Sequence, residues 1–263
     1  MTSAPALARL LAANILALAS ACAWAQPLRF AFSELEPWKT KQGTEHGGAY
    51  TEIVRELVRR LGRPLQIVDC PLKRCLRLLE VGEADVVIGV QQSPERLRYL
   101  HYLAAPYRRS SSDRIFLVRA GQATRITRYE DLRDLRIAVK AGSEYFDRFD
   151  EDATLTKDAS PNNLSSLRKL LLGRVDAVVL PEDQGLALIG QLDVRGQVEV
   201  AALRVPDPTP RSIAVSRRSP LMKELPRLEQ AMRAMREDGT LAALYQRHYY
   251  QRYRVARQSV LID

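Results

Sequence analysis

The chain has few of the residue patterns from which catalytic and metal centres are built. Its 263 residues include only three histidines, and His46, His101 and His248 do not have the spacing of metal ligands. It has no phosphate-binding glycine loop and no nucleophile elbow. A Ser-x-x-Lys match at 166–169 lies inside a predicted amphipathic helix and lacks its companion motifs. These absences leave little to indicate an enzyme, and neither a metal nor a cofactor is predicted.

Long apolar runs are also missing after residue 25, so no transmembrane helix is predicted. The first 25 residues are different, because they carry one charge, at Arg9, and an apolar run that ends in Ala-Trp-Ala at 23–25. This pattern predicts a secretory signal peptide over 1–25, cleaved before Gln26, and hence an exported protein. An uncleaved anchor and lipidation at Cys22 are the alternatives.

Cysteine is scarce, with three residues in the chain. Removal of the signal peptide leaves Cys70 and Cys75, and an even number in an oxidising compartment favours a disulfide. Their separation is too long for bonding within one straight helix. Pro71 suits a first helical position, so Cys70 lies just outside the predicted helix and can fold back onto Cys75. Two unpaired thiols are the alternative.

The chain does have an excess of basic residues. Its formal net charge is +9, and loss of one arginine with the signal peptide lowers it to +8. Lysine and arginine are spread along the chain rather than clustered on one helix, which indicates a solvated basic surface and no nucleic-acid partner. A positive field favours anionic ligands or an anionic membrane surface.

One pattern occurs twice. Residues 72–87 and 164–179 each predict a helix, a glycine turn and a buried strand. The glycines of the two copies, Gly82 and Gly173, are 91 residues apart, as are the aspartates three positions later. One copy in each half predicts two similar α/β lobes, and clefts between lobes are where small ligands bind.

Strands and helices alternate along the rest of the chain, which predicts an α/β fold with mainly parallel sheets. Strands are predicted at 28–33, 65–68, 85–90, 114–118, 136–140 and 212–216. Helices are predicted at 50–61, in each repeat, from Ser93 with that residue as N-cap, and from 221 to 250 with a break near 238–239. Residues 36–48 form a predicted loop.

Seven short motifs, in this order and spacing, resemble a known family. They are GAYTEI at 48–53, GEADVVIG at 82–89, SPER at 93–96, DL at 131–132, VKAGS at 139–143, GRVDAVV at 173–179 and EDGTL at 237–241. The chain resembles the periplasmic solute-binding proteins of family 3, the polar amino acid type, over nearly its whole mature length. These motifs are specific for the fold and much less specific for the ligand.

The resemblance implies the two-lobed type II or Venus flytrap fold, in which each lobe is a mainly parallel sheet flanked by helices. Lobe one is then expected at 27–107 plus 212–255, lobe two at 108–211, and a loose tail at 256–263. Two crossover strands act as a hinge, and ligand binding closes the cleft.

The resemblance also implies ligand-binding residues in lobe one. Arg96 of the SPER motif is expected against a ligand carboxylate, which its planar fork of donors matches. Gly89, Val90 and Gln91 end the preceding strand and are expected to offer backbone and polar groups, with Gln91 where the family often has Ser or Thr. Trp38 matches an aromatic that packs on the ligand, and the alternative is that it packs on its own lobe.

In lobe two, Gly142, Ser143 and Glu144 are the implied counterpart, at a helix N-terminus that binds anions. A plain N-cap serine is the rival interpretation. Family members that bind amino acids commonly carry an aspartate where this chain has Pro181, and that carboxylate pairs with the ligand ammonium. Either Glu182 substitutes for it or no ammonium is recognised, because an unpaired buried cation is unfavourable.

The predicted function is therefore a periplasmic solute-binding protein that captures a small carboxylate-bearing, amino-acid-like ligand and presents it to an ABC-type permease in the inner membrane. A monomer is expected. Two alternatives remain open: an enzyme on the same fold, such as a dehydratase of a cyclic carboxylic acid with Glu182 or Glu144 as its acid or base, and a sensory ligand-binding protein.

Overall fold

The structure is a computed structural model and describes residues 26–259. The predicted signal peptide, 1–25, and the last residues of the predicted tail, 260–263, lie outside this range. The helices are α1 (Ala49–Arg60), α2 (Leu72–Val81), α3 (Asp147–Glu151), α4 (Asn163–Leu171), α5 (Glu182–Leu192), α6 (Leu225–Glu237) and α7 (Thr240–Tyr245). The strands are β1 (Leu28–Phe32), β2 (Thr40–Gln42), β3 (Glu45–Gly47), β4 (Leu65–Asp69), β5 (Val86–Val87), β6 (Leu100–Tyr102), β7 (Arg114–Arg119), β8 (Arg136–Lys140), β9 (Thr156–Ser160), β10 (Ala177–Pro181), β11 (Val198–Val205) and β12 (Ala214–Ser216). None of the helices in this range is long and apolar enough to cross a membrane.

Two five-stranded sheets share one topology. The first has the order β4-β1-β5-β12-β6 and the second, in the matching direction, β9-β8-β10-β7-β11. In each sheet the first three strands are parallel and the fourth is antiparallel to both of its neighbours. The reversed strand is β12 in one sheet and β7 in the other, and each is the first strand that follows a crossing between the sheets. The predicted two-lobed, mainly parallel α/β fold is confirmed.

Side-chain alternation along the central strands builds the cores. In lobe two, Ile115 and Leu117 of β7 belong to one buried cluster, while Phe116 and Val118 belong to another. Successive side chains on a strand point to opposite faces of a sheet, so these clusters lie on the two faces. The larger core of lobe one packs β1 against α1, α6 and the aromatic residues that follow α7.

The repeated sequence unit occupies the same place in both lobes. Gly82 and Gly173 follow α2 and α4 with φ of +82° and +68°, which only glycine adopts without strain. Asp85 then precedes β5 and its carboxylate accepts a hydrogen bond from Arg29 N of β1 (2.8 Å). Asp176 precedes β10 and accepts from Arg136 N of β8 (2.9 Å). In each lobe the repeat therefore links the turn between its own helix and strand to the start of the adjacent strand in the sheet.

The two crossover segments pair with each other between the sheets. Arg108 and Arg211 form an antiparallel bridge, with Arg211 N donating to Arg108 O at 2.9 Å. A second connection lies beside it, because Tyr249 Oη donates to Asp183 O of α5 at 2.7 Å. The lobe boundaries at 107/108 and 211/212 remain predictions, and this bridge lies at both of them.

Several local elements differ from their sequence-based predictions. The predicted loop 36–48 contains the hairpin β2–β3, whose polar residues resemble a loop in composition. The helix expected from Ser93 is a single 3-10 turn, Arg96–Arg98. Val255, the last residue of predicted lobe one, belongs to the lobe-one core, and the predicted tail contains a 3-10 turn at Arg257–Ser259.

The disulfide is present as predicted. Cys70 and Cys75 are bonded, with Cα atoms 5.5 Å apart. Cys70 lies just before α2 and Cys75 within it, and both are buried. The bond therefore fastens the start of α2 to the end of β4.

The two repeat aspartates provide a matched test of this fold. Asp85 is 4% exposed and also accepts hydrogen bonds from Arg29 Nε (3.0 Å), Arg29 Nη2 (2.8 Å) and Ser219 Oγ (2.7 Å). Asp176 is partly exposed, and among residues 26–259 its carboxylate accepts one further hydrogen bond, from Arg125 Nη1 (3.2 Å). We expect Asp85→Asn to lower the free energy of unfolding by about 2–4 kcal/mol and Asp176→Asn by about 1 kcal/mol or less, measured by urea denaturation. Equal losses would contradict the assigned difference.

Candidate functional site

A cavity of about 230 Å³ lies between the two lobes. Loops of lobe one, the crossover segments and the strand ends of lobe two all contribute to its walls. The structure brings eight of the nine predicted ligand-binding residues to this cavity: Trp38, Gly89, Val90, Gln91, Arg96, Gly142, Ser143 and Glu144. The ninth, Glu182, is not among its lining residues. Contact of the eight with a ligand remains a prediction.

Arg96 lies on the lobe-one wall. Ser93 Oγ accepts a hydrogen bond from Arg96 N (3.3 Å), so the serine caps the turn although no α-helix follows. The guanidinium donates from Nη1 to the backbone oxygen of Gln91 (3.0 Å). Within residues 26–259 no carboxylate forms an ion pair with it, which leaves most of its donors available to the cavity.

The strand end before Arg96 shapes the same wall. Gly89 has φ of +82°, and a Cβ there would lie 2.9 Å from Leu35 Cδ2. Val90 is buried in the lobe-one core. The side-chain oxygen of Gln91, in the amide orientation that satisfies its neighbours, accepts from Arg211 Nη1 (2.8 Å) and Nη2 (2.9 Å). Gln91 therefore orients a crossover arginine as well as lining the cavity.

Trp38 packs within its own lobe. Its ring stacks on Tyr50 (centroids 4.9 Å apart) and on Tyr249 (4.6 Å), and it is 2% exposed. The Arg108 guanidinium lies 5.1 Å from the Trp38 ring centroid. The alternative considered from sequence, packing on the lobe rather than on a ligand, accounts for these contacts, although the residue also lines the cavity.

The lobe-two turn is not the helix N-terminus expected from sequence. Gly142, Ser143 and Glu144 are exposed at the cavity rim, and the nearest helix, α3, begins at Asp147 with Phe146 before it. Ser143 is therefore not an N-cap. The three residues line the cavity as a turn after β8, because Ser143 N donates to Lys140 O at 3.1 Å.

Glu182 does not take the place of the missing aspartate. Its carboxylate forms an ion pair with Arg204, away from the lining residues. Burial raises the pKa of Glu182, with the Arg204 charge opposing it. The carboxylate that does line the cavity belongs to Asp183, which is 2% exposed and pairs with Arg108 Nη1 at 2.5 Å. Pro181 at the expected position lines the cavity without a charge.

Sequence reasoning missed four cationic residues that line the cavity: Arg108, Arg114, Lys140 and Arg211. Two of them flank the predicted crossovers, and crossover segments form the cleft floor in a two-lobed fold. The positive charge of Arg108 and Arg211 at the predicted crossovers was the sequence signal that could have identified these two residues. The other two lie at the ends of the strands β7 and β8, and Lys140 precedes the Gly-Ser pair of the VKAGS motif.

Lys140 also borders a second cavity of about 350 Å³. Glu34 and Glu36 line this second cavity with residues of α4 and α5. Burial lowers the pKa of Lys140, while the charges of Glu34 and Glu36 oppose that shift. Within the described residues Lys140 Nζ has no hydrogen bond or ion pair, so it is a cation without a fixed partner between the two cavities.

The three histidines belong to three different elements. His46 Nε2 lies 3.4 Å from Asp69 Oδ2 on the outer side of lobe one. His101 is in β6, and His248 is in a π-helical turn, Gln246–Gln251. The part of the chain that the structure describes contains no group of three or more His, Cys, Asp or Glu placed to hold a metal ion.

Residues 28–251 match the family described as bacterial extracellular solute-binding proteins, family 3. The chain belongs to this family. The match includes both sheets and every cavity residue named above, so this family 3 chain is a solute-binding protein over nearly all of its described length. No curated protein sequence matches it.

Solved structures similar to this family 3 protein differ in their described roles. An ancestral arginine-binding protein bound to arginine is 21% identical, with a TM-score of 0.69, and 86% of this chain and 98% of that chain are covered. An ancestral amino acid-binding protein described as a precursor of cyclohexadienyl dehydratase is 20% identical (TM-score 0.67; 89% and 99%). A histidine kinase sensor domain with similarity to periplasmic binding proteins is 18% identical (TM-score 0.68; 84% and 94%). At these identities the comparisons establish the fold alone.

Lys39 lies beneath the loop that carries Trp38. It is 1% exposed, and its ammonium donates to Ile88 O (3.0 Å) and to Ser33 Oγ (3.3 Å) without a carboxylate partner. Burial lowers the pKa of Lys39 to about 7, and the charge of Lys140 adds to this shift. In the unfolded chain a lysine keeps a pKa of about 10.4.

This buried lysine predicts a pH-dependent stability. Between pH 7 and pH 9 the unfolded chain binds more protons at Lys39 than the folded chain, so stability rises with pH. Lys39→Met removes this dependence. We expect the variant to have a higher free energy of unfolding than the wild type at pH 7. This difference should shrink by about 2 kcal/mol from pH 7 to pH 9 in urea denaturation. Lys41→Met, at an exposed lysine, controls for the loss of one charge, and an unchanged advantage would show that Lys39 is charged at both pH values.

Proposed function

We propose that this protein is a periplasmic solute-binding protein that captures a small carboxylate-bearing molecule in the cavity between its lobes. Arg96 carries the proposal. Its guanidinium lines the cavity, is held by one bond to Gln91 O, and has no ion pair with a carboxylate of the described residues. A fork of donors that the protein leaves unsatisfied fits a ligand carboxylate in bidentate geometry.

The walls of the cavity come from both lobes, which suits capture by closure. Arg96 and Gln91 belong to lobe one, whereas Ser143 and Lys140 belong to lobe two. A ligand that contacts both walls stabilises the closed arrangement, because it binds that arrangement better than the open one. The closed form is then presented to an ABC-type permease in the inner membrane. The proposed delivery of the ligand to a permease is inferred from family membership.

Binding is favoured over catalysis by the positions of the carboxyl groups considered as acid or base. Glu182 is paired with Arg204 off the cavity, and Glu144 is exposed at the rim. Asp183, which lines the cavity, is paired with Arg108. A general acid or base needs to lie within reach of the reacting atoms and to be free to exchange a proton with them. None of these three carboxyl groups is both unpaired and placed inside the cavity.

The proposal predicts ligand-dependent stabilisation that requires Arg96. A thermal-shift screen of amino acids, opines, polyamines and organic acids should find a carboxylate that raises Tm by about 5–10 °C when present at a hundred times its Kd. Arg96→Gln should weaken binding of that compound by about 10–100-fold, because it loses charge-assisted hydrogen bonds. Isothermal titration calorimetry measures the change.

Arg98→Gln is the matched control, since Arg98 is an exposed arginine of the same 3-10 turn and does not line the cavity. It should bind the compound like the wild type. Equal losses in both variants would mean that surface charge attracts the ligand. Full affinity in Arg96→Gln would reject the assigned role.

A further inference from the structure

The cavity holds more positive charge than one carboxylate needs. Five cationic side chains line it: Arg96, Arg108, Arg114, Lys140 and Arg211. Asp183 neutralises Arg108, and a single carboxylate, Asp207, serves both Arg114 Nη2 (2.9 Å) and Arg211 Nη2 (2.7 Å). Exposed Glu144 is the third carboxylate at the site, after Asp183 and Asp207. Five cations and three carboxylates leave two positive charges without a matching carboxylate.

Two of these cations also have buried donors without partners. Arg108 is 2% exposed and Arg114 is 5% exposed, and the Nε of each has no hydrogen-bond partner. Burial lowers the pKa of Arg114, which reflects how poorly its charge is solvated. A buried cationic donor left unpaired is unfavourable. Both arginines line the cavity, and their charges add to its positive potential.

Among the described residues that line this cavity, the carboxylates that could meet a ligand ammonium group are Asp183 and Glu144. Pro181 has no charge, and Asp183 is buried and committed to Arg108. Glu144 is exposed at the rim, and Glu34 and Glu36 line the second cavity. An ammonium held next to surplus arginines would be repelled without a compensating carboxylate.

Two of the five cations, Arg96 and Lys140, form no ion pair with a described residue, and they lie on opposite walls of the cavity. Arg96 belongs to lobe one, and Lys140 ends strand β8 of lobe two. A molecule with an anionic group at each end therefore satisfies both walls and joins the lobes. A molecule with one anionic group leaves Lys140 without a partner.

We propose that the ligand is a small dicarboxylate or tricarboxylate without an amino group, with one carboxylate on Arg96 and another toward Lys140. This inference rests on the proposed function and narrows it. It departs from an amino-acid-like ligand, because the surplus charge in the cavity is positive, Asp183 is already paired with Arg108, and Glu144 lies at the exposed rim.

Matched sets of three compounds test the inference with purified protein. Succinate, L-aspartate and butyrate share a four-carbon chain but differ in the second carboxylate or the amino group. Glutarate, L-glutamate and pentanoate form the five-carbon set. We expect a dicarboxylate to bind at least tenfold more tightly, by calorimetry, than the amino acid and the monocarboxylate of its set. Lys140→Gln should weaken the dicarboxylate about tenfold and leave the monocarboxylate unchanged, while Lys223→Gln, at an exposed lysine outside the cavity, should change neither.

Binding of a tricarboxylate or of a larger dicarboxylate from the wider screen, without binding of its amino-substituted counterpart, also supports the inference. Each other outcome overturns it in a distinguishable way. If an amino acid binds as tightly as its dicarboxylate partner, the absence of an ammonium site is refuted while the proposed function stands. If monocarboxylates bind equally well, or Lys140→Gln leaves the dicarboxylate unaffected, the second anion site is refuted. If neither set binds and the carboxylates of the wider screen that do bind are amino acids or monocarboxylates, only the inference fails. If no carboxylate binds at all, the proposed function fails with it.

Discussion

A buried ion pair between Arg108 and Asp183 fixes the floor of the cleft. Arg108 comes from a crossover segment and also donates to Tyr50 Oη in lobe one (3.3 Å) and to Ser112 Oγ (3.0 Å). Asp183 comes from α5 of lobe two, and its backbone oxygen accepts from Tyr249 of lobe one. Such a pair adds little net stability relative to apolar packing, but loss of one partner leaves a buried charge. Its main effect is to define where the lobes meet.

This pair also affects the charge that the cavity presents. The family's acid position is Pro181, and the acid two residues later is used inside the protein. Because Asp183 is paired with Arg108, its charge does not neutralise the other cations that line the cavity. The charge of the cleft is thus a consequence of how the lobes are joined. Arg96 and Lys140, which have no such partner, are the groups left for a ligand.

The fold could be predicted well because it depends on repeated local patterns. The glycine turns after α2 and α4, the aspartates that follow them and the alternating apolar residues of the strands are all visible in sequence. The disulfide followed from two cysteines and the proline between them. The hairpin β2–β3 was missed because its residues are polar, and the reduced helix at Ser93 was missed because a cap and a proline do not fix helix length.

The site was only partly predictable, because side-chain pairing is decided in three dimensions. Motifs located Arg96 and the turn at Gly142, but sequence could not show that Glu182 pairs with Arg204 while the next residue turns to the cavity. Motifs also did not identify the arginines of the crossovers, because pairing between residues distant in sequence determines where they lie.

The central claim is that the interlobe cavity binds a carboxylate through Arg96. A crystal structure of the protein with the tightest-binding carboxylate from the screen tests it most directly. The account predicts ligand carboxylate oxygens within hydrogen-bond distance of the Arg96 guanidinium, with residues of both lobes in contact with the ligand. A ligand bound outside the cavity, with Arg96 bonded only to Gln91, would contradict it.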